Sequence, residues 1–107
     1  MAETGYIVIF ITAGSAGEAR QLARRLLEQK QAACVNIVPG VESSFWWQGK
    51  IDTVQECLLV VKTRASRLPE ITRLVREAHS YQMPEIIALP VVGGSQDYLD
   101  WIGKEVA

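Results

Sequence analysis

The chain has 107 residues, enough for one domain and too few for two, and its hydrophobic fraction of 49% supports a packed core and excludes a disordered chain. A formal net charge of -1, with acidic and basic residues mixed along the sequence, offers neither a basic stripe for nucleic acid nor a polybasic patch for a membrane surface. No apolar run approaches the roughly 18 residues of a membrane span, and the opening Met1-Ala2-Glu3-Thr4-Gly5 lacks the basic start of a secretory leader, so an unprocessed cytoplasmic protein is expected.

Tyr6 to Ile11 is a β-branched run that reads as a first strand, broken by Thr12-Ala13-Gly14. Ser15 stands three residues before Glu18, the capping-box spacing that starts a helix, and Ala19, Leu22, Ala23, Leu26 and Leu27 follow at helical spacing. Arg20, Arg24 and Arg25 fall on the opposite, solvated face. A second strand runs from about Ala33 to Trp47, with Pro39-Gly40 marking a bulge or kink. Gln48-Gly49-Lys50 signals a turn, and a third strand from about Ile51 to Thr63 completes a long hairpin. Ser66 is a candidate N-cap for a second helix, whose apolar stripe is Leu68, Ile71, Leu74, Val75 and Ala78, with Pro69 in its first turn. His79 and Ser80 close that helix. Glu85 to Val92 reads as a fourth strand, which Pro90 demotes to an edge or ends. Gly93-Gly94-Ser95 is a turn and cap, too short for a phosphate-binding loop, before a short terminal helix carrying Tyr98, Leu99, Trp101 and Ile102. The chain from 1 to 107 is thus expected to form a single domain.

There are two cysteines, Cys34 and Cys57, neither in a CxxC, so no zinc framework is expected. A hairpin pivoting near Gly49 sets Cys34 opposite roughly Thr63 or Arg64 and Cys57 opposite roughly Val41. That separation exceeds the reach of a disulfide and favours free thiols.

The order β-α-β-β-α-β is that of the ferredoxin-like split βαβ motif, an α+β class in which both helices cover one face of the sheet. The other face should then be wet and alternate polar with apolar. Ile7 to Ile11, Cys57 to Val61 and Ile86 to Val92 are instead nearly continuous apolar runs. One helical layer cannot shelter both faces, and the simplest cover is another copy of the chain. Phe45-Trp46-Trp47 beside the hairpin turn either anchors that copy or folds back on its own core. Composition does not choose between dimer and trimer.

Several segments in fixed order carry a resemblance: Ala32 to Val41, Phe45-Trp46-Trp47-Gln48-Gly49-Lys50-Ile51, Leu58 to Thr63, His79 to Ile86, Leu89-Pro90-Val91 and Tyr98-Leu99-Asp100-Trp101. From about Val8 to Trp101 the chain resembles the CutA divalent-cation tolerance family. The resemblance implies a ferredoxin-like fold assembled as a tight homotrimer, with long hairpins reaching onto neighbours through Phe45, Trp46 and Trp47. Its architecture is similar to that of the PII signalling proteins. It also implies copper(II) or another divalent cation as a weakly bound ligand, and no enzymatic activity. The chain departs from the family in reading His79-Ser80-Tyr81 where a proline is usual in the middle. At the positions of the family's cysteine and histidine metal ligands it carries Ile11 and Ala78, leaving Glu85 from that set, with His79 close by.

His79 is the only histidine. Imidazole suits copper, and His79 with Glu85 is one reading of a metal site; the other makes His79 a helix-terminal cap. Lys62, ending an apolar run, would pair with a carboxylate such as Glu56 or Glu85, or hold an anion. With Asn36 and Tyr81 it would complete a polar cleft between subunits, the basis of a PII-like small-molecule sensor as the alternative function. No nucleophile-histidine arrangement for catalysis is visible.

Overall fold

The computed structural model describes residues 4–107. In chain order its elements are β1 (Tyr6–Ala13), α1 (Ala16–Glu28), β2 (Cys34–Trp47), β3 (Lys50–Arg64), a 3-10 turn over Ala65–Arg67, α2 (Leu68–Ala78), β4 (Ile86–Pro90) and α3 (Gln96–Glu105). The strands form one antiparallel sheet in the order β2-β3-β1-β4. The short, proline-ended β4 is an edge, as Pro90 requires.

Strand alternation decides where the core sits. Ile7, Ile9 and Ile11 of β1 and Leu59 and Val61 of β3 point to one face and meet Leu22 and Leu26 of α1 and Ile71, Leu74 and Val75 of α2. Each such aliphatic side chain taken fully out of water contributes about 1.5–3 kcal/mol. The intervening residues face the other way, and they are apolar too. Phe10 lies across from Val60 on one side and Ile87 on the other. Val8, Phe10, Leu58 and Val60 remain half-buried, while Val38, Ile87 and Leu89 are exposed.

The terminal helix changes part of this arithmetic. Leu99, Ile102 and Val106 pack against Tyr6, Ala33 and Val91, and Arg64 Nη2 donates to the Gly103 carbonyl at 2.5 Å. Tyr6 and Arg64 are partners at one end of the far face. The helix α3 therefore caps that end and leaves the Phe10–Val60–Ile87 row uncovered.

Several expectations are corrected in detail. β1 runs through Thr12 and Ala13 before Ser15, whose side chain accepts from the Glu18 N–H at 3.1 Å. Ser66 is not the N-cap of α2; it lies in the preceding 3-10 turn, and Arg67 takes that position without a side-chain bond. Ser95 stands at the start of α3, but its side chain makes no capping bond. The fourth strand begins at Ile86 and ends at Pro90. Cys34 pairs with Lys62, and Cys57 lies beside the bulge between Val38 and Val41; both thiols are free.

The long hairpin turns tightly. Trp47 pairs with Lys50 around Gln48 and Gly49, with φ of 51° and 79°, the double left-handed geometry of a type I′ turn that glycine makes cheap. Beyond the bulge the hairpin leaves the helices behind as an arm. The molecule measures 44 × 31 × 23 Å, and its radius of gyration is 14.4 Å, against about 13 Å for a compact chain of this length.

Candidate functional site

The α2–β4 connection is fastened at three points, all near the end of β1. At His79 the backbone leaves the helix for an extended conformation while its N–H still donates to the Val75 carbonyl at 2.8 Å. The imidazole turns inward and is fully buried. Its Nε2 lies 2.6 Å from the Thr12 carbonyl, which can only accept, and its Nδ1 accepts the Tyr81 N–H at 3.0 Å. These partners assign the proton to Nε2 and leave neither ring nitrogen a free lone pair.

Glu18 makes the second fastening. One carboxylate oxygen accepts from the Gly14 N–H at 3.1 Å and the Ser80 hydroxyl at 3.1 Å, and the other accepts from the Ser80 N–H at 2.8 Å. Partial burial works to raise its pKa, but the hydrogen bonds from Ser80 and Gly14 outweigh it and hold the carboxyl below its usual value.

Tyr81 makes the third. Its hydroxyl donates to Glu56 Oε2 at 2.9 Å, and loss of water followed by that bond and charge pushes the phenol up to about 12. Gly14 leaves room for the ring: a Cβ there would stand 3.1 Å from the Tyr81 oxygen.

Beyond this clamp, the segment from Tyr81 to Glu85 faces the hairpin arm across an open cleft of about 650 Å³. The arm contributes Ser43, Phe45, Trp47, Asp52, Val54 and Glu56, and the facing segment contributes Tyr81, Gln82, Met83 and Glu85. Phe45 and Asp52 are cross-strand partners, as are Ser43 and Val54, so these side chains share one face of the arm. Glu56 is buried, at 8% exposure. Glu85 remains exposed as a residue, yet partial loss of water and then the charge of Glu56 raise its carboxyl pKa.

Of the residues singled out in the sequence, Glu85 and Tyr81 line this cleft, and His79 is committed behind it to the backbone of β1. Ile11 is sealed in the core, and Ala78 ends α2. Asn36 and Lys62 lie elsewhere: Lys62 is six residues along β3 from Glu56, roughly 20 Å at strand rise. Lys62 Nζ bonds Asn36 Oδ1 and sits 3.8 Å from Cys34 Sγ; among the described residues no carboxylate pairs with it, contrary to the expected ion pair. Phe45 and Trp47 line the cleft. Trp46 reaches its rim and forms a cross-strand pair with Ile51, at 73% and 66% exposure. Among the described residues, no group of three or more His, Cys, Asp or Glu gathers in a way that could hold a metal ion.

Sequence reasoning missed the part played by Glu18, which it treated as half of a capping box, and the depth of Glu56. The available signal for Glu56 was its place as the last polar residue of β3 before the apolar run from Cys57 to Val61.

A family model described as CutA1 divalent ion tolerance protein matches residues 7–105. The divalent-cation tolerance protein CutA of Archaeoglobus fulgidus is 48% identical over 92% of this chain and 95% of its own length. The chloroplastic protein CutA 1 of Oryza sativa is 47% identical over 90% of this chain but only 54% of its own length, so the chain spans about half of that relative. The crystal structure of CutA1 from Oryza sativa superposes with a TM-score of 0.94 at 43% identity, covering 98% of this chain and 96% of that one.

Proposed function

The chain belongs to the CutA1 divalent-ion tolerance family, and on that premise we propose that it is a non-catalytic homotrimer that weakly binds copper(II) or another divalent cation through Glu85 and Glu56 and so supports tolerance to it. The observation that carries the cation site is that Glu85 and Glu56 share one cleft that, among the described residues, no Lys, Arg or His lines. Strong sites gather three or four protein ligands. Two carboxylates with water completing the sphere give weak binding instead. Glu85 keeps the role expected of it, and His79 acts from behind as the residue that fixes the connection. The uncovered apolar row Phe10–Val60–Ile87 supports the trimer, and two free thiols fit a reducing compartment such as the cytoplasm.

Calorimetric titration with copper(II) tests the site. Glu85→Gln is expected to weaken binding about tenfold or more, since it removes a charged donor. Wild-type affinity in Glu85→Gln, with loss only in His79→Gln, would overturn it.

A second reading is favoured by one observation. Lys62 is a half-buried ammonium whose partners among the described residues are Asn36 and Cys34, on the sheet face a trimer would cover. That arrangement supports a PII-like sensor with a small anion between subunits, and titration with nucleotides and organic acids against Lys62→Met tests it.

A further inference from the structure

We propose that His79 is a proton-operated latch on the α2–β4 connection: neutral, it holds the Tyr81 backbone, and on taking up a proton it turns to Glu18 and lets Tyr81 go. The bonds concerned lie inside one subunit, so the inference depends neither on metal at Glu85 nor on the trimer.

The stereochemistry of the ring comes first. The imidazole is fully buried. Its Nε2 stands 2.6 Å from the Thr12 carbonyl, which only accepts, and its Nδ1 accepts the Tyr81 N–H at 3.0 Å. Both bonds form together only on the neutral ring with its proton on Nε2. A second proton has to go to Nδ1, where it meets the Tyr81 N–H head-on. Two donors then share one buried contact, and one of them must turn away to find an acceptor.

An acceptor for the charged ring already stands nearby. Glu18 Oε2 is 3.7 Å from Nδ1, which misses hydrogen-bond distance by less than about 1 Å. That oxygen takes the Ser80 N–H at 2.8 Å, and a carboxylate oxygen can accept from more than one donor. A protonated ring turned to Glu18 gains a charge-assisted bond and gives up a weaker, neutral one. Among the described residues, the other titratable groups around the ring are engaged or exposed. On β3, Glu56 takes the Tyr81 hydroxyl and the Cys57 thiol lies opposite Ala13. On α2, Arg76 and Glu77 are exposed, and Glu77 pairs with Arg25 and Arg73. The group that β1 presents to the ring is the uncharged Thr12 carbonyl.

Tyr81 is the joint that carries the event outward. Its ring lies 4.7 Å from the imidazole, its hydroxyl donates to Glu56, and it opens the segment to Glu85 that faces the arm. Once its N–H loses the imidazole, the phenol is the bond that still ties it to β3. Proton uptake behind the wall is thereby coupled to where the wall lies. Histidine is the side chain whose charge ordinarily changes in the physiological range, and a segment with two discrete attachments is the element such a change can bias.

NMR of the full chain, labelled with nitrogen-15 and carbon-13 and followed from about pH 8 to about pH 5, tests the latch. His79 is the only histidine, so its ring signals are unambiguous. The expected result is an Nε2–H tautomer at the alkaline end. On acidification the ring charges and the Tyr81 amide signal moves with the same midpoint. Protection of that amide from exchange, corrected for its intrinsic pH dependence, should fall about tenfold or more, while that of Leu22 in α1 holds. Glu18→Gln, which removes the receiving carboxylate, should move the common midpoint to lower pH, and His79→Gln should abolish the step. Should either variant fail to fold, the comparison of ring and amide in the wild type decides by itself. An Nδ1–H tautomer at the alkaline end, a ring that stays neutral throughout, or a ring that charges while the Tyr81 amide stays put would overturn the proposal. So would an unshifted midpoint in Glu18→Gln, or a Tyr81 step that persists in His79→Gln and so belongs to Glu56 or Glu85.

Discussion

At the scale of single residues, the connection between α2 and β4 is held by polar groups rather than by packing. His79, Glu18 and Tyr81 each spend their hydrogen-bonding capacity on fixing where the cleft wall begins. Glu18 gives this arrangement a pH signature. Its folded pKa lies below the ordinary value of 4.5. Its contribution is therefore fully present above the unfolded pKa and is lost as pH falls through the folded value, because the unfolded chain binds the proton more readily. Glu18→Gln should lower stability near neutral pH and flatten the acid limb of the stability curve below about pH 4.5. Urea midpoints measured at intervals between neutral pH and pH 3 check this. An acid limb in Glu18→Gln as steep as in the wild type would assign the dependence to other carboxylates.

At the scale of elements, the hairpin arm divides its two faces between two tasks. Phe45 and Trp47 line the cleft, whereas Trp46, which touches only its rim, alternates to the other face of the arm, where it pairs with Ile51, the two being 73% and 66% exposed. Trp46→Ser combined with Ile51→Ser should therefore leave the subunit fold unchanged by circular dichroism and weaken association, read as a lower mass on dilution by light scattering. A double variant whose mass resists dilution as the wild type does would remove the arm's outer face from the interface. Periodicity made the elements legible: the β-branched run of β1, the Pro39-Gly40 bulge and the Gln48-Gly49 turn each state a local rule that the backbone obeys. The cleft was less legible because it depends on register. Nothing local to Glu56 says that Tyr81, 25 residues away, will cap it. Lys62 was assigned a carboxylate on chemical grounds, but the register gave it Asn36 and Cys34. His79 was ambiguous for a related reason, since the Thr12 carbonyl that fixes its tautomer lies 67 residues away in the chain.

At the scale of the molecule, the unresolved quantity is the apolar face that α1 and α2 do not cover. α3 shelters only the Tyr6 and Arg64 end, so the row from Val60 through Phe10 to Ile87 faces water in the isolated subunit. Contiguous apolar surface of this kind marks an association site, and burying it adds to each subunit a stabilisation that depends on concentration. The wild type is therefore expected to scatter light as three subunits of 11.9 kDa and to melt at temperatures that rise with protein concentration. Ile87 is the residue on which to test this, because at 53% exposure it contributes little to the subunit's own core. Ile87→Lys places an ammonium in the proposed interface, where desolvating it without a partner is costly. It should reduce the mass to that of one subunit and abolish the concentration dependence of melting while the secondary structure survives. A wild type that remains a well-behaved single subunit at micromolar concentration would mean that the far face tolerates water, and the trimer would fall with it.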